Sequence, residues 1–300
     1  MPHPRPTHAH RRPLAGTART LAATVLAAAA AACAPAAAEE DRPEVVVAFY
    51  PLEFVARRVG GAAAEVTNLT PPGGEPHDLE LSPHAVAQVA EADVVLYVAG
   101  LQAATDDAVA AGSPAHAVDT ADAAGLAPDA ADPHFWLDPT LLARVADAAA
   151  DALASADPDE ADGYRSRATE LVADLDALDA ELAAGLDACR GATLVTSHQA
   201  FGYLADRYGL HQVGITGVDP EVEPSPARLR EVGEVVRSSG VRTLYFGALT
   251  SPAVTETLAA DLGVGTAVLD PLEGHAGDRD YLDVMRDNLA ALTTGLTCTA

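Results

Sequence analysis

The stretch DPDEADGYRSRATELVADLDALDAELAAGLDA, residues 157–188, determines how the rest of the chain can be arranged. From Tyr164 to Leu186 its apolar residues recur every three or four positions, which is the period of one face of an α-helix. About 30 residues at 1.5 Å each form a helix about 45 Å long. We interpret this helix as a connector between two lobes. The alternative is a surface helix of the second lobe, which would normally be shorter.

Strand and helix patterns alternate on both sides of this helix. The strand-like runs before it are VVVAFYPL (45–52), EVTNLT (65–70) and DVVLYVAG (93–100). The runs after it are TLVTSH (193–198), HQVGIT (211–216), RTLYF (242–246) and TAVLD (266–270). This alternation predicts an α/β fold of two βα lobes, with parallel sheets of roughly four strands each, joined by one long rigid helix.

Some details of the two lobes can also be predicted. The first lobe is expected over 39–156 and the second over 189–300, with the connecting helix between them. Ser82 and Asp138 are expected to cap helices, because each precedes a proline that suits a first helical position. The segment 111–131 lacks periodicity and is predicted to be a loop.

The composition favours a folded protein that does not bind nucleic acid. Hydrophobic residues make up 49% of the chain and aromatic residues only 4%, so the core would consist mainly of Ala, Val and Leu. The formal net charge is −26, from 44 acidic against 18 basic residues. Because this charge repels phosphate backbones, we expect no nucleic-acid partner.

The first 38 residues are typical of an export signal. An acid-free, Arg-rich start precedes the apolar run TLAATVLAAAAAA (20–32), which is too short to be a permanent membrane span. Cys33 follows at the position where a lipoprotein signal has its acylated cysteine, so we expect a lipid-anchored or periplasmic protein. The alternatives are cleavage after Ala38, which would discard Cys33, and a twin-arginine signal at Arg11 and Arg12.

Two further cysteines, Cys189 and Cys298, lie in the mature body of the chain. In an oxidising compartment such a pair forms a disulfide more often than two free thiols. The bond would close a loop of about 110 residues and stabilise the fold by up to about 4 to 5 kcal/mol in the chain-entropy model.

Four side chains are candidates for a metal site. His198 and Asp270 each end a predicted strand, and His77 and His134 lie in loops of the first lobe. Ligands of open parallel sheets bind in the crevice at the carboxyl ends of the strands, so these residues are expected to meet in the cleft between the lobes. Three imidazoles and one carboxylate match a four-coordinate zinc site. For each histidine alone, an exposed loop residue is the competing interpretation.

The motifs around these residues resemble those of a known family. They are GGEPHDLELSP (73–83), DPHFWLDP (132–139), TSHQAFGYLADRYGL (196–210), EVEPSPARL (221–229) and AVLDPLEG (267–274). Their order and spacing are similar to those of the zinc- and manganese-binding solute-binding lipoproteins of ABC metal importers. The resemblance implies metal ligands at His77, His134, His198 and Asp270. It also implies a monomer that delivers its metal to an ABC permease and its ATPase.

The third ligand bears on the choice of metal. Family members for manganese tend to have a carboxylate at the position of His198. Imidazole nitrogens favour zinc over manganese, so we expect Zn²⁺ rather than Mn²⁺ as the transported ion. Glu75 and Asp78 flank His77 and could orient its ring, and His275 could line the cleft.

Two other classes of function compete with this interpretation. A zinc hydrolase would keep an open coordination position and a general base, but Asp270 would fill that position, and the chain has no H-E-x-x-H or G-x-S-x-G motif. We therefore expect no enzyme. A module that binds a metal chelate or a host surface would use fewer direct protein ligands, so its binding would survive the loss of His198.

Overall fold

The computed structural model describes residues 1–3, 42–127, 130–249, 251–274, 277 and 279–298. From Arg42 onward these residues belong to one structural unit. The predicted export signal with Cys33 lies outside the described residues, and so does His275.

Eight strands and ten α-helices are found in the described part of the chain. The strands are β1 (Glu44–Val47), β2 (Glu65–Asn68), β3 (Val94–Tyr97), β4 (His116–Asp119), β5 (Thr193–Thr196), β6 (His211–Gly214), β7 (Thr243–Phe246) and β8 (Gly265–Val268). The helices are α1 (Tyr50–Gly60), α2 (Pro83–Glu91), α3 (Ala103–Gly112), α4 (Thr120–Ala124), α5 (Pro139–Ala156), α6 (Ala161–Leu186), α7 (Gly202–Tyr208), α8 (Pro226–Ser238), α9 (Ala253–Leu262) and α10 (Tyr281–Gly295).

The strands form two four-stranded sheets of the same topology, in the orders β2-β1-β3-β4 and β6-β5-β7-β8. Every neighbouring pair is parallel, with Val45 of β1 beside Val66 of β2 and Val94 of β3. The predicted α/β class with two parallel sheets is therefore confirmed. Because the strands of each sheet are parallel, the loops that follow them share one edge.

Helix α6 is the predicted connector, and α1, α5 and α10 pack on it. Its buried face consists of the residues named by the helical period: Tyr164, Ala168, Leu171, Leu175, Leu178, Leu182 and Leu186. Short 3₁₀ turns at Pro158–Glu160 and Asp187–Cys189 extend it at both ends. In the part of the chain that is described, neither α6 nor another helix has the length and apolarity needed to cross a membrane. The proposed lobe boundaries at residues 156 and 189 remain a prediction.

Several local expectations are confirmed. The side chain of Ser82 accepts a hydrogen bond from the amide of Ala85 at 3.2 Å, and Asp138 accepts one from Thr140 at 2.8 Å, so both are helix caps. The disulfide between Cys189 and Cys298 is present, with Cα atoms 4.1 Å apart.

Two segments differ from the sequence-based expectation. The run 45–52 is strand only to Val47, because Pro51 occupies the first turn of α1 and its fixed φ suits a helix start. The predicted loop at 111–131 contains β4 and α4. Strand β4 has no clear sequence pattern; its backbone bonds to β3, where Val94 lies beside His116. Tertiary pairing therefore overrides weak local propensity here.

Replacement of Leu178 by Ala should destabilise the protein. Its side chain lies fully buried on α6, so the substitution leaves a cavity and should lower the free energy of unfolding by about 2 to 5 kcal/mol. Urea unfolding followed by Trp136 fluorescence measures the change. Asp176→Ala, an exposed position on the same helix, should change it by less than about 0.5 kcal/mol. Equal effects of the two substitutions would show that the buried face of α6 does not stabilise the core of the protein.

Candidate metal centre

Three imidazole rings converge on one buried carboxylate. The Nε2 atoms of His77, His134 and His198 lie 3.1, 2.8 and 3.2 Å from Oε1 of Glu273. The ring centroid of His134 lies 5.4 Å from that of His77 and 5.6 Å from that of His198. Thus the structure brings the three predicted histidines together, but with a different carboxylate from the one predicted.

Each ligand candidate comes from a loop at the carboxyl edge of a sheet. His77 lies between β2 and α2, and His134 directly precedes the 3₁₀ turn before α5. His198 follows β5, and Glu273 follows β8. Two loops of each sheet thus supply the cluster, which is where open parallel sheets bind ligands.

Asp270, the predicted carboxylate ligand, has a structural role in the loop after β8. Its Oδ1 accepts the backbone N–H of Leu272 at 2.8 Å, while Asn288 bonds both the N–H and the carbonyl of Asp270. Leu272 is buried and has a φ of 60°, which is uncommon for a residue with a Cβ. This turn directs Glu273, in place of Asp270, to the three imidazoles, so Glu273 becomes the candidate for the fourth ligand. Which carboxylate binds the metal remains a prediction.

The sequence does not single out Glu273, because a position after a strand identifies an edge of the sheet and not a particular acid. The sequence AVLDPLEG offers two acids, and this position favours the one nearer to the strand. Gly274, which follows Glu273, is a feature of the sequence that indicates a close contact at this position. A Cβ on Gly274 would collide with the carbonyl oxygen of Gly74 in the loop that carries His77, so a glycine is needed where these loops touch.

The DPHFWLDP segment also bonds to elements of the other lobe. The fully buried ring of Trp136 donates its Nε1–H to the carbonyl of Pro271 at 2.8 Å. Tyr281 donates to the carbonyl of Trp136 at 2.7 Å, and Tyr203 donates to the carbonyl of Asp132 at 3.1 Å. These bonds hold the loop of His134 against the loop of Glu273.

Neighbouring groups hold the histidines differently. His134 is fixed by Asp132, whose Oδ1 lies 2.7 Å from the ring Nδ1 and accepts the backbone N–H at 3.0 Å. Glu75 accepts the backbone N–H of His77 at 3.0 Å and therefore positions the chain there. The Nδ1 atom of His198 is buried and has no hydrogen-bond partner in the described residues. Among the described residues, only His134 thus has a carboxylate on the ring nitrogen opposite the cluster.

The charges of the cluster are strongly coupled. Burial would lower the pKa of His134, but its hydrogen bonds to Asp132 and Glu273 outweigh burial and raise the pKa to about 9. Burial would raise the pKa of Glu273, but the three imidazoles hold it well below the usual value. Burial, followed by the charge of Glu273, raises the pKa of Glu75. A metal ion entering near neutral pH must therefore displace a proton from His134.

The donor set fits a divalent cation. Ligand atoms of His77, His134 and Glu273 lie within 4.8 Å of one another, and the Nε2 of His198 lies 3.2 Å from the same carboxylate oxygen. Three imidazole nitrogens and one carboxylate oxygen suit borderline metals in tetrahedral coordination. The only side chain of the four with more than marginal exposure is His77, at 11%.

Comparison with solved structures defines the class. The laminin-binding protein Lmb of Streptococcus agalactiae has a TM-score of 0.78 and 32% identity, over 84% of this chain and 99% of its own. The Zn(II)-bound ZnuA-like domain of Streptococcus pneumoniae AdcA has a TM-score of 0.74 and 33% identity, over 85% and 98%. The fold is thus that of ZnuA-like solute-binding proteins.

Sequence comparison identifies the family. A model described as zinc-uptake complex component A, periplasmic (ZnuA), matches residues 45–295, and the chain belongs to this family. The zinc-binding lipoprotein AdcA of Streptococcus pneumoniae is 34% identical over 83% of this chain. This chain spans only 54% of that relative, or about half its length. The high-affinity zinc uptake system protein ZnuA of Bacillus subtilis is 30% identical over 85% of this chain and 88% of its own.

Replacement of Glu273 by Gln should abolish tight metal binding. The substitution removes the buried negative charge that three imidazoles surround, and affinity should fall by at least about 100-fold. Asp270→Asn is the matched control, because an amide oxygen can still accept the N–H of Leu272. Chelator-competition titrations measure both affinities. A larger loss in the Asp270 variant would show that Asp270 is the ligand.

Replacement of Asp132 by Asn should weaken metal binding in a pH-dependent manner. The Nδ1–H of His134 would lose its anionic acceptor, which should cost about 10- to 100-fold in affinity. Native affinity should rise with pH up to about 9, because a proton occupies His134 below that value. The variant lowers this pKa, so its deficit should be largest near pH 9 and shrink towards about pH 6.

Chelator competition across this pH range measures the effect. Asp176→Asn, at an exposed acid on α6, serves as the control and should follow the native profile. A deficit in the Asp132 variant that does not change with pH would show that Asp132 acts only on the backbone of its loop.

Proposed function

We propose that the protein captures Zn²⁺ outside the cytoplasm and delivers it to an ABC permease powered by its ATPase. The observation that carries this proposal is the convergence of three imidazole Nε2 atoms on the buried carboxylate of Glu273. Membership of the zinc-uptake component A family supports the importer, and relatives named as zinc-binding proteins support the metal.

Zinc is favoured over manganese by the donor set. Three nitrogen donors suit zinc, whereas Mn²⁺ prefers oxygen donors and has the lowest affinity in the divalent series. His198 is decisive, because a carboxylate there would give two oxygen donors. Manganese binding is the alternative within the same class of importer.

A role in binding rather than catalysis follows from the number of protein ligands. A catalytic zinc keeps one position open for water, while three histidines and Glu273 supply four ligands to a tetrahedral ion. We infer that bound zinc is held as cargo. Capture would be coupled to proton release from His134, since its raised pKa keeps it protonated near neutral pH.

Zinc would reach the centre from the side of His77. A cavity of about 560 Å³ borders this ring and is also lined by Asp119, Asp122, Asp132 and Asp219. Carboxylates that line a cleft raise the local concentration of cations. The other three ligand side chains are at most 1% exposed, so His77 would make the first contact.

The location of the protein is also proposed. The family is described as periplasmic, and several relatives are named lipoproteins. We infer that Cys33 carries a lipid anchor at the outer face of the membrane and that the protein acts as a monomer. The long helix α6 and the hydrogen bonds between loops of the two lobes favour small lobe movements during loading.

The choice of metal can be tested by competition. When metal-free protein is offered equimolar zinc and manganese, we expect about one zinc per chain, counted by mass spectrometry. Replacement of His198 by Asp should reduce the preference for zinc by at least about tenfold, because an oxygen donor replaces a nitrogen. A native protein that retains manganese over zinc would overturn the assignment.

Delivery of zinc to the importer can be tested in cells. Cells without this protein should take up less zinc at low external zinc, and the native chain should restore uptake while Glu273→Gln should not. Uptake that is independent of the protein would leave a zinc-binding protein without a role in import.

A further inference from the structure

We propose that the second lobe holds a separate site for a phosphate group at the edge opposite the metal centre. A cavity of about 500 Å³ lies at the amino ends of β5, β6 and β7, next to the end of α10. The metal centre lies at the carboxyl edge of the same sheet, so the two sites use opposite edges.

The charge of this cavity is the reverse of that of the protein. The chain has a net charge of −26, yet the lining includes Arg190, His211 and Arg242 and no acidic residue among the described ones. Arg190 is paired with Asp187, whose Oδ1 lies 3.3 Å from its Nε. Two guanidinium groups and an imidazole therefore face a common space in which an anion would be stabilised.

Several donors in this cavity are available to a ligand. In the described residues the side chains of His211 and Arg242 form no hydrogen bond or ion pair, although most arginines elsewhere in the fold are paired with acids. Thr193, Ser239 and Thr243 also line the cavity, and their hydroxyl groups have no hydrogen-bond partner among the described residues. Guanidinium and hydroxyl donors around one space are the groups that bind phosphate oxygens.

The disulfide holds the walls of this cavity in place. Arg190 directly follows Cys189, and Thr297 directly precedes Cys298, so the bond joins two wall segments. The hydroxyl of Thr297 donates to the carbonyl of Gly240 at 3.1 Å and fixes a third segment. A wall that is already ordered loses less conformational freedom when a ligand binds.

A second pair of arginines shows what distinguishes the cavity. Arg230 and Arg237 also lack a partner in the described residues, but they border an apolar groove between α8 and α9. That groove contains Asp261 and several leucines, and only Thr257 offers a hydroxyl. Unpaired arginines therefore do not distinguish the cavity from this groove. The cavity differs because several hydroxyl donors and no acidic residue are found among its described lining residues.

The test is a titration of the purified zinc-loaded protein with inorganic phosphate at low ionic strength, by calorimetry. We expect saturable binding to one site. Arg242→Ala should weaken it by at least about tenfold, because one charge-assisted hydrogen-bond donor is lost. Arg230→Ala removes the same charge from an unpaired arginine of the same lobe and should leave phosphate affinity unchanged. Retained zinc binding would show that both variants are folded.

Vesicles identify the source of the phosphate group. Phosphatidylcholine vesicles with and without phosphatidic acid are sedimented with each protein. Retention that requires both phosphatidic acid and Arg242 supports a lipid headgroup; phosphate binding without retention supports a free phosphate compound. No saturable phosphate binding, or equal losses in the Arg230 and Arg242 variants, would overturn the proposal. Zinc binding is measured separately, so either proposal can fail alone.

Discussion

The structure of the site depends on one constraint, which is the burial of the Glu273 carboxylate. A carboxylate that is 1% exposed is costly unless donors surround it, and three imidazoles from loops of both sheets provide them. The imidazoles can surround the carboxylate only when the four loops meet. The same arrangement places four potential ligand atoms around a point where a cation can replace the protons.

Other features of the fold support this meeting of loops. Helix α6 gives α1, α5 and α10 a common apolar surface, so elements on both sides of it in the chain share one core. Trp136 and Tyr281 then tie the loop of His134 to the loop of Glu273 through backbone carbonyls. Because these bonds are buried, the separation of the ligands is set by packing and not by the metal alone.

The acidic composition has two different consequences. Near His77 the carboxylates border the proposed entrance and attract cations. At the opposite edge of the second sheet they are absent from a cavity lined by Arg190, His211 and Arg242. A strongly negative protein can therefore present a local positive surface, since screening limits the reach of distant charges to about 10 Å.

The order of the residues is enough to predict the fold class, the connector with its buried face, the helix caps, the disulfide pair and the meeting of the three histidines. These features depend on the spacing of apolar residues, on capping chemistry or on the common edge of parallel strands. Each of these can be recognised from the order of the residues. The pairing of β4 with β3 and the position of Glu273, rather than Asp270, in the cluster are seen only in the folded protein. The reason is that both depend on contacts between distant segments: a backbone ladder in one case, and in the other a left-handed turn at Leu272 held against the other lobe.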